Sequence, residues 1–163
     1  MNLDALVRQG ALPWEPSPDA SGLVVWHEYD VPTAGLFSMG MTRVLFTIWG
    51  APDERLTVWA YTCLTEHDVK ELSHVDISSI GDLRAMVDGE FAGRQAVLAI
   101  ADNLRIWRWN SLDVKPGPEG LAGTVVEFLG QVRQALESQK GPDAEAQVKL
   151  AGIEAAKDEL VSA

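Results

Sequence analysis

The chain has 163 residues, with 24 acidic against 13 basic side chains and a formal net charge of −11. That length holds one domain with a real core and excludes a second full domain, and a hydrophobic share of 47% beside 23% charged residues excludes wholesale disorder. The acidic balance argues against nucleic acid as partner, because binding phosphates relies on Lys and Arg. Cys63 is the only cysteine, so no internal disulfide forms and nothing marks an oxidising compartment. The start, MNLDALVRQGALPW, lacks a basic stretch followed by a continuous apolar one, and no segment approaches the ~20 apolar residues of a membrane helix. Together these features point to a cytoplasmic protein with no membrane association.

In chain order, Asn2 caps a short helix with Leu3, Leu6 and Val7 on one side and Gly10 as its stop. Pro13, Pro16 and Pro18 make a non-repetitive crossing. Leu23 to Tyr29 then reads as a first strand, ended near Pro32. Gly35 to Cys63 reads as two long strands joined at Ala51-Pro52-Asp53-Glu54, since aromatic and β-branched residues flank turn formers. Alternation places Val44, Phe46 and Ile48 on a core face with Leu56, Val58 and Ala60. Arg43, Leu45, Thr47 and Trp49 then share the other face with Thr57, Trp59 and Tyr61.

Thr65 with Asp68, and Ser79 with Asp82, open two helical stretches in the manner of a capping box, with a break at Asp76 to Ser78. Val69 and Leu72 give the first a modest apolar side, and Ile80, Leu83, Met86 and Val87 recur at helical spacing in the second. Ala96 to Ala101 and Leu104 to Asn110 form a hairpin about Asp102-Asn103. After the loop Lys115 to Gly120, the residues Leu121, Val125, Phe128, Leu129, Val132 and Leu136 make the clearest amphipathic helix. The expected fold is thus α+β, an antiparallel five-stranded sheet with helices packed on it, in the order α-β-β-β-α-β-β-α. Residues 1–140 form this single domain and residues 141–163 a helical or flexible C-terminal tail.

No catalytic signature is present. His27-Glu28 lacks the second histidine of a zinc-protease helix, Val31 standing in its place. Cys63, His67 and His74 match no common zinc spacing. Ser38 lacks the first glycine of a nucleophile elbow, and Gly117, Gly120 and Gly123 are misplaced for a dinucleotide fingerprint. We therefore expect no enzyme, no metal and no cofactor.

The six tryptophans carry more information. With a turn at Asp102-Asn103, Arg105, Trp107 and Trp109 share a face with Ala96, Leu98 and Ile100. If Trp49 and Trp59 join them, the sheet bears a surface of the composition enriched in protein interfaces. The five residues expected to anchor a partner are accordingly Trp107, Trp109, Arg105, Trp59 and Trp49.

The element order also resembles the type III secretion chaperone-like fold, including the YbjN-like bacterial regulator family. The resemblance spans roughly residues 2–139 and is carried by LTVWAYTCLTEHDV, FAGRQAVLAIADNLRIWRW and LAGTVVEFLGQVRQALES, a strand into a helix, a hairpin, and a long helix. It implies a homodimeric, non-enzymatic chaperone-like or regulatory protein that binds a segment of another protein. The acidic charge suits a basic partner. Two alternatives stand beside this reading. One is an immunity or antitoxin-like protein neutralising a basic toxin. The other is an enzyme or small-molecule sensor with a pocket near the middle helices, using His67, His74 and Glu66.

Overall fold

A computed structural model of the chain describes residues 2–51, 55–74, 79–118, 120–138 and 149–154. Six runs rich in β-branched and aromatic residues form strands: β1 (Ala20–Tyr29), β2 (Val31–Met39), β3 (Thr42–Gly50), β4 (Leu56–Leu64), β5 (Gln95–Asp102) and β6 (Arg105–Asp113). They pair antiparallel in chain order, so β1 and β6 are the two edges of one meander. The fold is α+β with an antiparallel sheet, but the sheet has six strands where five were expected. The additional strand arises at Gly40-Met41, where Met39 pairs with Thr42 and Gly40 takes a φ of 60°. A positive φ at the first position of a two-residue loop suits a hairpin and is natural to glycine. The first strand ends at Tyr29, near Pro32 as expected; Pro32 itself lies early in β2, beyond the last β2–β3 pair, Ala34 with Thr47, where its missing N–H breaks no bond toward β3.

Three helices cover one face. Helix α1 (Glu66–Ser73) begins with a full capping box between Thr65 and Asp68, and α2 (Ile80–Phe91) is capped by the Ser79 hydroxyl accepting from the Asp82 N–H. Helix α3 (Gly120–Glu137) buries all six residues of the stripe expected for it. Leu72, Leu83, Val87, Phe91 and the α3 stripe pack on Leu36, Leu45, Val58, Ala60, Leu98 and Ile100. The expected break at Asp76 to Ser78 lies outside the described residues, as does most of the segment after Gly141. Residues 149–154 are helical, and Ile153 is buried in this same core.

The opposite face is covered by the beginning of the chain. Asn2 caps a single 3-10 turn, Leu3–Ala5, in place of a longer helix, and Leu3, Leu6 and Val7 bury against Phe37, Phe46, Trp59 and Tyr61. Trp14 lies 6.2 Å from the Trp59 ring, and the Tyr61 hydroxyl donates to the Pro13 carbonyl at 2.8 Å. Burial raises the Tyr61 pKa well above its ordinary value.

Two register expectations are corrected. Phe46 lies opposite Tyr61 and Ile48 opposite Trp59, so Val44, Phe46 and Ile48 share a face with the β4 aromatics, and Leu45 and Thr47 share the other with Val58 and Ala60. A slip of one residue exchanges the faces of a strand, and here the β3–β4 pairing, with a bulge at Trp49, sets the true match. In the second hairpin the turn is Asn103-Leu104, both at positive φ, with Asp102 paired to Arg105. Ile106 then pairs with Ala101 and Arg108 with Ile100, so Trp107 is the extra residue of a bulge and Trp109 lies opposite Ala99. Trp109 therefore leaves the face of Ala96, Leu98 and Ile100, whereas Trp107 packs on the same helix-side core as they do and Arg105 lies opposite Asp102.

Candidate functional site

The expected five-residue aromatic face is not assembled. Trp59 is fully buried under the N-terminal segment, its Nε1–H donating to Thr57 Oγ1 at 2.7 Å. Trp109 packs toward that same core and lines a cleft of about 150 Å³ with Phe128, Gln131 and Val132 of α3. Arg105 is exposed, with Nη1 donating to the Gly10 carbonyl at 3.4 Å. Trp49 and Trp107 both pack on the helix-side core but stand on β3 and β6, with two strands between them.

The structure reveals another grouping. Trp26, Trp49 and Trp107 are each the extra residue of a bulge, on β1, β3 and β6, and each is half-buried against the helix-side core. All three stand at the end of the sheet that carries the β1–β2, β3–β4 and β5–β6 turns. A cation lies over two of them: the Arg84 guanidinium carbon is 6.0 Å from the Trp49 ring centroid, and Lys149 Nζ is 3.8 Å from that of Trp107. Lys149 is buried and also faces Asp102 Oδ2 at 3.7 Å.

Beside Trp49, α2 and the corner made by β1, β2 and β3 enclose a cleft of about 160 Å³. Its polar groups include His27, Thr33, Arg84 and Asp88. The buried Thr33 hydroxyl donates to the His27 carbonyl at 3.0 Å, and His27 Nδ1 bonds the same hydroxyl oxygen. Because a hydroxyl has one proton, Nδ1 supplies the proton of the second bond, and Nε2 is the ring nitrogen left for another partner. Bulges at Trp26 and at Thr33 flank the His27 pair and set the direction of its side chain. Burial raises the Asp88 pKa, and the Arg84 charge opposes the rise.

The residues expected for a pocket near the middle helices lie elsewhere. His67, His74 and Glu66 are exposed on and after α1 and do not line this cleft. Cys63 is half-buried at the end of β4, and burial pushes its thiol pKa up. No group of three His, Cys, Asp or Glu side chains suited to a metal ion occurs among the described residues. Asp68 is committed to structure: Arg94 Nη2 and Nη1 bond its two carboxylate oxygens at 2.7 and 2.8 Å, holding the carboxyl well below the usual range.

The feature that sequence reasoning passed over is the outer edge of β1. Leu23, Val24 and Val25 are 37%, 44% and 39% exposed and Tyr29 is 78% exposed, although the strand carries the composition of an interior one. No charged residue occurs from Ala20 to Trp26. Edge strands ordinarily carry charges or a cover that prevents further pairing. Along Ala20 to Trp26 the device among the described residues is the pair of β1 bulges, near Leu23 and at Trp26, which leaves a short regular step at Val24-Val25. The topological signal was available, since the first strand of a meander is an edge. A β1 crossing also explains Gly35, where a Cβ would run into the Val24 carbonyl.

No helix among the described residues is long and apolar enough to cross a membrane. No protein-family model, curated protein or solved structure matches the chain.

Proposed function

We propose that the chain is a non-enzymatic protein-binding module, chaperone-like or regulatory, that takes a segment of a partner protein as a seventh strand along β1. The observation that carries this reading is the exposed, uncharged Leu23-Val24-Val25 stretch on an edge that nothing in the described chain covers. Main-chain hydrogen bonds to a sheet edge give affinity, and side-chain contacts on the two faces give selectivity. The bulges on either side limit regular pairing to a few residues, so the added segment is short. The net charge of −11 favours a basic segment and speeds encounter at low salt. Resemblance to the type III secretion chaperone-like fold and the YbjN-like family implies the same class of role, in a cytoplasmic homodimer.

The test is an affinity capture with three proteins: the natural chain, a Leu23→Lys plus Val25→Lys variant, and a Trp107→Ala plus Trp109→Ala variant. Loss of the captured partner in the first variant, with retention in the second, is the expected result. Retention by the lysine variant would remove the edge from the interaction.

A further inference from the structure

We propose that the cleft between α2 and the β1–β3 corner binds a small apolar α-amino acid as its zwitterion. The site is separate from the β1 edge, and its success or failure leaves that reading where it stands.

Size comes first. At about 160 Å³ the cleft has roughly half the volume of the smallest common ligand pockets, about 300 Å³. That admits a molecule of a few heavy atoms and excludes a nucleotide or a folded peptide. Its walls are largely apolar, with Ala34, Leu83 and Val87 beside the Trp49 ring, so the occupant needs an apolar part.

The polar groups then define the other end of the ligand. Arg84 and Asp88 are four residues apart on α2, hence on one side of the helix, and both line the cleft. The guanidinium offers a planar fork of N–H donors that fits a carboxylate. Asp88, as a carboxylate, only accepts, and the His27 ring, with Nδ1 taken by Thr33, can accept at its second nitrogen. One cation with two acceptors around an apolar wall complements a molecule that carries a carboxylate, an N–H donor and an apolar side chain within a few bonds. A simple anion would meet the Asp88 charge, and a purely apolar molecule would strip water from Arg84 and Asp88 without replacing it.

Titration calorimetry on the full chain with L-leucine, L-valine and L-methionine tests this, each compared with N-acetyl-L-leucine, which lacks the ammonium, and L-leucinamide, which lacks the carboxylate. Binding of at least one free amino acid is expected, with both blocked compounds weaker by about tenfold or more. Arg84→Gln and Asp88→Asn should each weaken that binding by a similar factor while the urea midpoint stays near its natural value. Absence of heat with all three free amino acids at millimolar concentration would overturn the proposal. So would a blocked compound that binds as tightly as the free one, a result that needs no variant.

Discussion

The two edges of the sheet are treated differently by the same chain. At β6 the beginning of the chain comes back to pair: the Gly10 N–H donates to the Ile106 carbonyl at 2.7 Å and the Ile106 N–H to the Ala11 carbonyl at 2.8 Å. The Ser111 hydroxyl adds a bond to Asp4 at 2.8 Å. At β1 no such cover occurs among the described residues, and three consecutive apolar side chains face solvent. An unpaired apolar edge invites pairing with another chain, so a protein that protects one edge and leaves the other bare has a place prepared for a partner. The difference also assigns a purpose to the N-terminal segment, which shields an aromatic face and an edge together.

Removing residues 2–14 breaks the comparison most severely. It strips Leu3, Leu6 and Val7 from the aromatic face, each worth about 1.5–3 kcal/mol when buried. Their sum, roughly 4.5–9 kcal/mol, is comparable with the whole stability of a domain. Urea unfolding of the truncated chain should therefore show a lost or strongly lowered transition. Trp59→Ala acts on the same face from the sheet side and should cost about 3–5 kcal/mol by the same measurement. If it cost under about 1 kcal/mol, Trp59 would not be the core residue described above.

Asp68 and Arg94 sharpen the picture of the closed half, where they tie α1 to the start of β5. Asp68→Ala removes a cap and a bidentate ion pair and should cost about 1–3 kcal/mol. The folded pKa of Asp68 lies below its ordinary value of 3.8. Its contribution is therefore present above the unfolded value and is lost as pH falls through the folded one. The stability gap between the natural chain and Asp68→Ala, followed by denaturation from neutral to acid pH, should narrow on acidification. The smallest effect on stability belongs to the open edge. Leu23→Lys with Val25→Lys should shift stability by no more than about 1 kcal/mol, since both side chains already meet water.

The helices were legible because their signals are local: Thr65 with Asp68, Ser79 with Asp82, and the α3 stripe all form as read. The sheet was legible in class but not in register. Gly40-Met41 carries no Asn or Asp to mark a hairpin, and Leu104 at a φ of 64° is a conformation that a β-loving apolar residue does not announce. The bulges at Trp26, Trp49 and Trp107 were beyond reach for a further reason. Strict alternation assigns each tryptophan to a face, and an extra residue in one strand overturns the assignment only through its neighbour's spacing. The cleft depends on the same effect, as His27 meets Arg84 and Asp88 from 57 or more positions away once bulges have turned it. The open β1 edge, by contrast, followed from strand order alone.

Hydrogen exchange on the free chain and on its captured complex tests the asymmetry of the two edges most directly. Protection gained across residues 20–29, with residues 105–113 unchanged, is the expected result. Protection gained across residues 105–113, with residues 20–29 exchanging as in the free chain, would contradict a partner strand on β1.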